Sequence, residues 1–336
     1  MRLLEERQMK KTRQAILVAL ATSFTLPTVA EEQSPIIVTA TRTAQTIDET
    51  LASVTVISKE QIEQQQADDL AGLLTSISGI DLVSNGGLGK TTSILMRGTS
   101  SKHILVMIDG IQIGSATLGS VAFQHIPVSQ IERIEIVRGP RSSLYGSNAI
   151  GGIIQIFTKE GKGAAKFNAE LGYGSNNLTK ANVGLSGKKD STSYSVNTSY
   201  LKTDGINALK ANDKDEDGYN NSSFSANVKH ELSNTSSLSV NFLHATGTNE
   251  YDNEYVPTDV MESDFTQQSG GITFISAPLN NWELTLKAGQ SQDKNENFKN
   301  NVDDGKFVTD RDMYSWKNNI TLSGSLIKMM SPLHLE

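Results

Sequence analysis

The sequence predicts a small α+β domain followed by an antiparallel sheet of the kind that forms a transmembrane β-barrel. Two observations support this division. Residues 31–160 mix short helical and strand patterns, whereas from Ala164 apolar residues fall on alternate positions. A period of two places apolar side chains on one face of a strand and polar side chains on the other. With 336 residues, the chain is long enough for about two domains.

The N-terminus, residues 1–30, has the features of a signal peptide. Lys10, Lys11 and Arg13 precede a short apolar run at 15–26, and small residues follow it. The run is too short to span a bilayer as a helix, which takes about 20 apolar residues. The sequence therefore predicts export, against the alternative of a buried N-terminal helix.

Composition and motifs exclude several classes of function. The formal net charge is −7, so the chain lacks the basic surface that a nucleic-acid partner requires. There are no cysteines, which excludes disulfides, a cysteine nucleophile and a Cys-ligated metal. The five histidines form no HExxH motif, there is no Gly-x-Ser-x-Gly motif, and no enzyme is predicted. Residues 84–91 look like a phosphate loop, but Ser84 stands where that motif requires glycine.

The first domain contains short predicted elements. Asp68 is the candidate N-cap of its second helix, and Gly79 would end that helix. The glycine-rich segment 137–157 lies between two β-branched runs, which predicts a tightly folded loop clamped between strands. Helices are predicted over 59–66 and 68–77, and strands over 54–57, 93–96, 103–108 and 131–137.

The second part contains eight alternating stretches, each belonging to a segment of about ten residues, the length of a tilted membrane-crossing strand. A transmembrane barrel has short turns at one end and longer loops at the other. A soluble β-sandwich is the alternative, because apolar and polar residues also alternate along its strands. The pattern of connections favours the barrel. The stretches lie at 167–173, 181–185, 194–200, 224–228, 238–242, 272–274, 282–288 and 316–322. Short connections are predicted at 176–177, 189–190, 234–235 and 280–281, and long ones at 203–222, 247–267 and 293–312.

The first domain contains several short motifs rich in glycine and charged residues, which are Arg97, Gly98, Asp109, Gly110, Glu135, Arg138, Gly139, Pro140, Tyr145, Gly146, Gly151 and Gly152. In order and spacing these motifs resemble those of the TonB-dependent outer-membrane receptors, most closely the members that transport cobalamin. The resemblance implies that residues 31–160 hold a TonB box and a plug domain. It also implies that residues 164–322 supply about the first eight strands of a 22-strand barrel.

A complete barrel of that size needs more than about 400 residues. The sequence therefore predicts a fragment or an interrupted gene product. Its tail, 323–336, loses the alternation and is interpreted as aberrant.

An apolar, β-prone segment follows the predicted cleavage site and is similar to the family's TonB box. Such a segment can add as a strand to the sheet edge of a partner, here the TonB protein of the inner-membrane energy complex. The alternative is an ordinary first strand. The segment consists of Pro35, Ile36, Ile37, Val38, Thr39 and Ala40.

Three charged residues of the plug motifs, Arg97, Glu135 and Arg138, are candidates for contacts that hold the plug against its barrel wall. Loss of one member of a buried pair would leave the other desolvated. The alternative is that these charges are solvated strand ends.

Carboxylates at alternate positions, Asp213, Asp215 and Asp217, precede Gly218 and suit calcium, which prefers hard oxygen ligands. The spacing is not that of an EF-hand, because Phe224 stands at its twelfth position. Without the resemblance, a solvated acidic loop explains the same residues. The resemblance implies a structural calcium site that adds Asp204, Tyr251, Asp252 and Asn253, with one further carboxylate left open among Asp259, Glu262 and Asp264.

The resemblance also implies substrate contacts from outward-facing plug loops. These are Thr91, Ser93, Ser100, Leu118 and Gly119, and the alternative is that they are plain polar loop residues. The implied function is calcium-assisted uptake of cobalamin or a related corrinoid by a monomer embedded in outer-membrane lipid. An iron-siderophore or haem receptor, or an inactive surface or structural fragment, remains the alternative.

Overall fold

The computed structural model describes residues 36–37, 45–46, 50–209, 216–253, 255–322 and 325–331. No helix within these residues is long and apolar enough to cross a membrane. The helices are α1 (Lys59–Gln65), α2 (Leu70–Leu74) and α3 (Ser142–Tyr145), with single 3₁₀ turns at Ser101–His103, Phe123–His125 and Val128–Gln130. The first nine strands are β1 (Ile36–Ile37), β2 (Gln45–Thr46), β3 (Ser53–Ile57), β4 (Ile80–Ser84), β5 (Thr92–Met96), β6 (Ile104–Ile108), β7 (Ile111–Gln112), β8 (Ile131–Arg138) and β9 (Gly152–Thr158). The remaining strands are β10 (Lys166–Tyr173), β11 (Thr179–Lys189), β12 (Thr192–Ile206), β13 (Asp217–Ser233), β14 (Ser236–Tyr251), β15 (Met261–Leu279), β16 (Trp282–Lys299), β17 (Val302–Leu322) and β18 (Ser325–Ser331).

The N-terminal domain, residues 50–160, is built on a five-stranded sheet in the order β3-β8-β9-β6-β7. Only β6 and β9 pair in parallel among these strands. Leu70, Leu73 and Leu74 of α2 are fully buried against the β-branched strand residues, including Ile134 and Ile156. The predicted α+β domain is therefore confirmed, and its core holds the two small helices on the sheet.

Helix α2 begins one residue later than predicted. Its N-cap is Asp69, whose Oδ1 accepts a hydrogen bond from Gly72 N at 2.7 Å, and the prediction of Asp68 was wrong. Either aspartate can cap a helix. Asp68 instead forms an ion pair with Lys180 of β11. Helix α1 begins at a reciprocal capping box between Ser58 and Gln61.

The glycine-rich segment after β8 folds tightly, as predicted. Gly139 N donates to Gly151 O at 3.0 Å and Arg141 N donates to Ala149 O at 2.8 Å, which closes the loop around α3. A Cβ added at Gly152 would lie 2.3 Å from Met96 Sδ, so this position requires a close backbone approach.

The large sheet contains, within the described residues, nine antiparallel strands in chain order, β10 to β18. From β12 to β17 many even positions carry apolar side chains that are exposed, such as Val196, Phe224 and Trp316. Many odd positions carry polar side chains that are buried, such as Asn221 and Ser269. The predicted alternation is therefore confirmed. The ninth strand, β18, lies where the sequence predicts a loss of alternation, and it pairs with β17.

The connections differ from the prediction in position and length. In a meander of antiparallel strands, successive connections lie at opposite ends, so Asn176-Asn177 lies at the end of the longer connections and not with the short turns. The longer connections are 207–216 and 252–260, which we call the L2 and L3 connections. The predicted long connection at 293–312 is a two-residue turn, Asn300-Asn301, because β16 and β17 pair along almost their whole length.

Candidate functional site

The polar face of the large sheet carries the N-terminal domain, and His125 lies at the centre of this contact. Its ring stacks on Phe265 of β15, with centroids 3.6 Å apart and planes inclined by 7°. Tyr219 of β13 lies beside both rings, with its centroid 5.8 Å from that of His125 and 5.9 Å from that of Phe265. The ring is thus enclosed by the N-terminal domain and two strands of the sheet.

Hydrogen bonds join the same groups. Tyr219 Oη donates to Gln124 O at 3.0 Å and lies 3.2 Å from His125 Nδ1. Asn221 Nδ2 donates to His125 O at 3.0 Å and to Tyr219 Oη at 2.9 Å. Burial lowers the pKa of His125 to about 3, and the nearby positive charge of Lys90 acts in the same direction. The imidazole is therefore neutral at ordinary pH.

One strand of the sheet, β13, makes several of these contacts. Alternate residues of β13 each contact the N-terminal domain, because side chains at i and i+2 share a face. Asp217 O accepts a hydrogen bond from Lys90 Nζ at 3.1 Å, and Ser223 Oγ accepts one from Gln130 Nε2 at 2.7 Å. Tyr219 and Asn221 lie between them.

A second group of contacts surrounds the Asp109-Gly110 turn. Both residues have positive φ values, 48° and 79°, which is the requirement of a tight hairpin between β6 and β7. The carboxylate of Asp109 accepts hydrogen bonds from Thr158 N and Thr158 Oγ1, at 2.9 and 2.6 Å, and burial raises the pKa of this carboxyl. Lys287 Nζ of β16 donates to Asp109 O at 2.8 Å and attaches the turn to the large sheet.

Lys90 is a buried lysine at the base of the L2 connection. Its Nζ has three acceptors, which are Asp217 O, Gly218 O and Asn249 Oδ1, at 3.1, 3.3 and 3.0 Å. Desolvation lowers the pKa of Lys90, and the carboxylates of Asp217, Glu250 and Asp252 oppose this shift. Sequence reasoning missed this residue, because a lone lysine in a loop gives no signal of a contact 127 residues away.

The predicted calcium ligands are only partly brought together. Asp213 and Asp215 lie outside the described residues. Asp217 Oδ2 accepts a hydrogen bond from Ala208 N at 3.2 Å, and Asp252 Oδ2 accepts one from Leu209 N at 2.8 Å, so two carboxylates hold consecutive residues of L2. These hard oxygen donors fit calcium. In the described part of the chain, however, no group of three acidic or histidine side chains is placed to hold a metal.

The other candidate ligands lie around this pair. Asp204 accepts a hydrogen bond from Asn177 and lines a cavity of about 410 Å³ together with Glu216 and Glu250. Glu250 Oε2 accepts a hydrogen bond from Gly218 N at 2.8 Å, and the sequence reasoning had not singled out this carboxylate. Tyr251 is half-buried at the start of L3.

The L3 connection has its own polar network. Asn253 Oδ1 accepts hydrogen bonds from the backbone N–H groups of residues 255 and 256, which folds a turn. Among the three open candidates, Asp259 receives hydrogen bonds from Asn253 and Asn300 and an ion pair from Lys299 at 2.7 Å. Asp264 receives one from Thr248, and Glu262 stands opposite Glu250 in the β14–β15 ladder. None of these contacts is to Asp217.

The N-terminal domain matches a family model described as "TonB-dependent Receptor Plug Domain" over residues 46–153. Similarity to curated proteins extends through the large sheet. The chain is 34% identical over 325 residues to "Vitamin B12 transporter BtuB" of Photobacterium profundum, which covers 95% of this chain and 53% of that protein. The chain belongs to the TonB-dependent receptors. It is 37% identical over 242 residues to the protein of the same name in Vibrio vulnificus, covering 71% of this chain and 40% of that one.

Solved TonB-dependent receptors have the same fold. The ferric preacinetobactin receptor BauA of Acinetobacter baumannii superposes with a TM-score of 0.68 at 13% identity, over 86% of this chain and 47% of that chain. The ferric yersiniabactin receptor FyuA of Yersinia pestis gives 0.65 at 16% identity, over 82% and 46%. This chain therefore spans about half the length of the relatives that it matches. The predicted fold class, a plug followed by part of a barrel, is confirmed, as is the location in the outer membrane, and the relatives are transporters and receptors and not enzymes.

The plug motif residues are mainly turn and packing positions in this chain. Arg97 and Gly98, with φ of 51° and 78°, form a tight turn after β5. Gly146 ends α3 with a positive φ, Tyr145 packs on a small apolar cluster, and a Cβ at Gly151 would lie 2.3 Å from Thr99 Oγ1. The remaining motif positions, Gly139 and Pro140, open the tight loop after β8.

Two of the three charged plug residues make contacts within the plug. Arg138 donates to Thr55 Oγ1 at 2.9 Å, and Glu135 pairs with Arg133 at 3.0 Å, both within the plug. Arg97 is exposed because its backbone is in the turn. Contacts with the barrel wall are made by Lys90, His125, Asp68 and the Asp109-Gly110 turn.

The predicted substrate residues lie in two places. Thr91 is exposed and Ser93 half-buried, next to Lys90 at the start of β5. Ser100 is exposed and accepts a hydrogen bond from Lys102 N. A Cβ at Gly119, next to the exposed Leu118, would lie 3.4 Å from Lys102 Cδ. The loop that holds Ser100 therefore meets the loop that holds Leu118 and Gly119.

The predicted TonB box is described only at Ile36–Ile37, whose backbone pairs with Gln45–Thr46 in a two-stranded ribbon. Pro35, Val38, Thr39 and Ala40 lie outside the described residues.

Proposed function

We propose that this chain forms the plug and the first barrel strands of an outer-membrane transporter for cobalamin or a related corrinoid. The observation that carries the proposal is the similarity to vitamin B12 transporters over 95% of the chain, which includes the plug loops and the L2 and L3 connections. The siderophore receptors share the fold at 21% identity or less, and this likeness does not extend to the ligand.

In this proposal the plug loops that hold Thr91, Ser93, Ser100, Leu118 and Gly119 contact the corrinoid, whose amide groups suit hydroxyl and backbone partners. A calcium ion orders L2 and L3 through Asp204, Asp213, Asp215, Asp217, Tyr251, Asp252 and Asn253. The two carboxylates that hold consecutive residues of L2 support this assignment. The chain acts as a monomer surrounded by outer-membrane lipid, after removal of a signal peptide at 1–30.

Energy for release of the ligand would come from the TonB protein, which binds residues 35–40 as an added strand. Ile37→Pro removes an N–H donor from this segment, and we expect loss of binding to the isolated periplasmic domain of TonB. Thr43→Pro, outside the segment, is the control. Unchanged binding of the Ile37→Pro chain would contradict this assignment of the TonB box.

The ligand is tested by equilibrium dialysis of the purified chain in detergent with cyanocobalamin, in calcium and in a calcium chelator. We expect calcium to strengthen binding by about tenfold, within the usual range of coupling between two sites. Asp252→Asn should remove most of that gain, while Asp190→Asn, at an exposed turn at the opposite end of the sheet, should retain it. Binding of a ferric siderophore or haem in place of cyanocobalamin would assign the chain to the alternative ligand class.

A further inference from the structure

A cleft separates the plug from the first strands of the large sheet. Helix α1 and residues 66–69 lie on its plug side, and strands β10 to β12 form most of its barrel side. The cleft encloses a cavity of about 630 Å³, which is within the usual size of ligand sites. We call it the α1 cleft. Among the described residues, none of the candidate substrate or calcium residues lines it.

The α1 cleft connects the two ends of the sheet. At one end it is lined by Leu88 and Gly89, in the plug loop that also holds Thr91. At the other end it is lined by Lys159 and Lys166, where the plug ends and β10 begins. Because antiparallel strands alternate in direction, β10 begins at the end of the sheet opposite L2. The cleft therefore leads from a candidate substrate loop to the opposite end of the sheet.

The contacts that cross the α1 cleft to β11 and β12 are weak in the described part of the chain. The side chains of the ion pair between Asp68 and Lys180 are 42% and 24% exposed. Such a pair contributes little to stability, because water and salt screen it. Gln130 Nε2 reaches Ser199 Oγ of β12 only at 3.4 Å, whereas it donates to Ser223 Oγ of β13 at 2.7 Å. The plug is therefore held more firmly by β13 than by β11 and β12.

The plug is also held firmly at β15 and β16, where the side chain of Ile111 occupies a socket. Ile111 is 1% exposed, and a Cβ added at Gly271 or Gly289 would lie 2.8 or 2.2 Å from its Cδ1. These two glycines are paired in the β15–β16 ladder, so together they leave the space that the isoleucine fills. Ser291 Oγ donates to Gln112 O at 2.7 Å beside this Ile111 socket. Separation here would break buried packing and a hydrogen bond at the same time.

Neutral polar groups line the barrel side of the α1 cleft, among them Asn168, Asn182, Ser186, Asn197, Ser199 and Asn221. Asn221 is 7% exposed, and its Oδ1 has no hydrogen-bond partner among the described residues. A buried carbonyl oxygen without a partner is unfavourable, so this atom is available to an N–H group that enters the cleft. The amide side chains of a corrinoid supply such groups. Neutral groups also exchange hydrogen bonds with a passing ligand without holding it tightly.

We infer that the α1 cleft is the route by which the transported molecule passes the plug, and that the plug opens on this side while the Ile111 socket keeps it attached to β15 and β16. The identity of the transported molecule rests on the proposed function. Opening begins where the contacts are weakest, because a local separation costs only the free energy of the contacts that it breaks. The exposed ion pair between Asp68 and Lys180 is such a contact, and the Ile111 socket is not.

The first test uses two single-cysteine reporters, which the absence of cysteine from the chain allows. Asn197→Cys lies in the α1 cleft, and Ser269→Cys lies on β15 between Gly271 and Gln267, which both contact the plug. The native side chains are buried at both positions, with 5% and 1% exposure. The purified chain in detergent is treated with a water-soluble maleimide at urea concentrations below global unfolding.

We expect Asn197→Cys to react at least about tenfold faster than Ser269→Cys, because the cleft opens locally. Equal rates, a faster reaction at Ser269→Cys, or protection of both positions until global unfolding would overturn the inference.

The second test closes the cleft. In the double variant Asp68→Cys and Lys180→Cys, a short bis-maleimide joins the plug to β11 across the α1 cleft. The matched control joins Gln112→Cys to Ser291→Cys beside the Ile111 socket. Cells that lack their own cobalamin transporter produce either chain, and uptake of cyanocobalamin is measured before and after the reagent. We expect the first link to abolish uptake without loss of binding, and the second to change neither; the reverse pattern, or uptake that survives the first link, would refute the route.

The two tests separate this inference from the proposed function. If the parent chain binds cyanocobalamin and Asn197→Cys stays protected, the inference is wrong and the proposed function stands. If the parent chain neither binds nor takes up cyanocobalamin, the proposed ligand is wrong, and the reporter rates alone decide whether the plug opens at the α1 cleft.

Discussion

His125 gives a quantitative prediction about the contact between plug and barrel. Its pKa is about 3 in the folded chain, against 6.5 for an ordinary histidine, so the unfolded chain binds more protons between these values. The contribution of His125 to the free energy of unfolding is therefore fully present above pH 6.5 and is lost as the pH falls toward 3. At pH 5 the loss is about 2 kcal/mol, and at pH 8 it is close to zero. The enclosed stack with Phe265 and Tyr219 is the physical cause, because it excludes water from the imidazolium ion.

The perturbation is His125→Phe, which keeps an aromatic ring in the stack and removes the titrating group. The Tyr219 hydroxyl keeps its bonds to Gln124 O and Asn221 Nδ2, so stability at pH 8 should change by only about 1 kcal/mol. The pH dependence attributed to His125 should disappear. His103→Phe, at an exposed histidine of the plug, is the matched control and should behave as the parent chain.

The assay is urea unfolding in detergent at pH 8 and pH 5, followed with an environment-sensitive dye on Lys102→Cys, an exposed plug position. The parent chain should lose about 2 kcal/mol more between the two pH values than the His125→Phe chain. Equal losses in the two chains would mean that His125 titrates normally, and the enclosed position of its ring would then be wrong.

Three further substitutions test other parts of the fold. Gly89→Ala places a Cβ 2.1 Å from the Tyr219 ring and should lower the unfolding free energy by about 2 kcal/mol or more, whereas Gly98→Ala, at a similar φ with nothing within 4 Å, should cost about 1 kcal/mol. Trp316→Arg, on the exposed apolar face, should reduce insertion into lipid vesicles, at about 2–4 kcal/mol near the bilayer midplane; normal insertion would contradict a lipid contact there. Asp109→Ala removes two hydrogen bonds to the end of β9 and should lower the urea midpoint by an amount equivalent to about 2 kcal/mol.

The second half of β16 shows where the alternating pattern fails to predict a strand. Period-two alternation marks a strand only where one face is apolar, as at Leu284, Leu286 and Ala288 of β16. The second half of β16 is polar on both faces, so the sequence predicted a loop there. In the structure that half pairs with β17 through the backbone ladder, and side-chain amide–carboxylate bonds, such as Gln292 Nε2 to Asp310 Oδ1 at 2.7 Å, also join the two strands.

The plug motifs show that the type of a residue does not by itself reveal its role. A charged residue in a motif suggests a charge contact, but Arg97 is part of a turn whose backbone geometry depends on Gly98. Glu135 pairs with Arg133, and Arg138 donates to Thr55, both inside the plug. The presence of glycine beside the charge was the better signal, since glycine readily adopts the positive φ that such turns require.

Contacts across the domain interface could not be predicted, because each joins residues that are far apart in sequence. Lys90 and His125 reach β13 over separations of 127 and 94 residues. The sequence of β13 nevertheless indicates that one of its faces makes polar contacts, since alternate positions from Asp217 to Ser223 are polar and face the plug. A slip of one residue in the pairing of β13 would turn these positions away from the plug and place Phe224 against it. The polar interface therefore helps to specify the register of the strand that carries it, and the same alternation that suits a barrel wall also positions the plug.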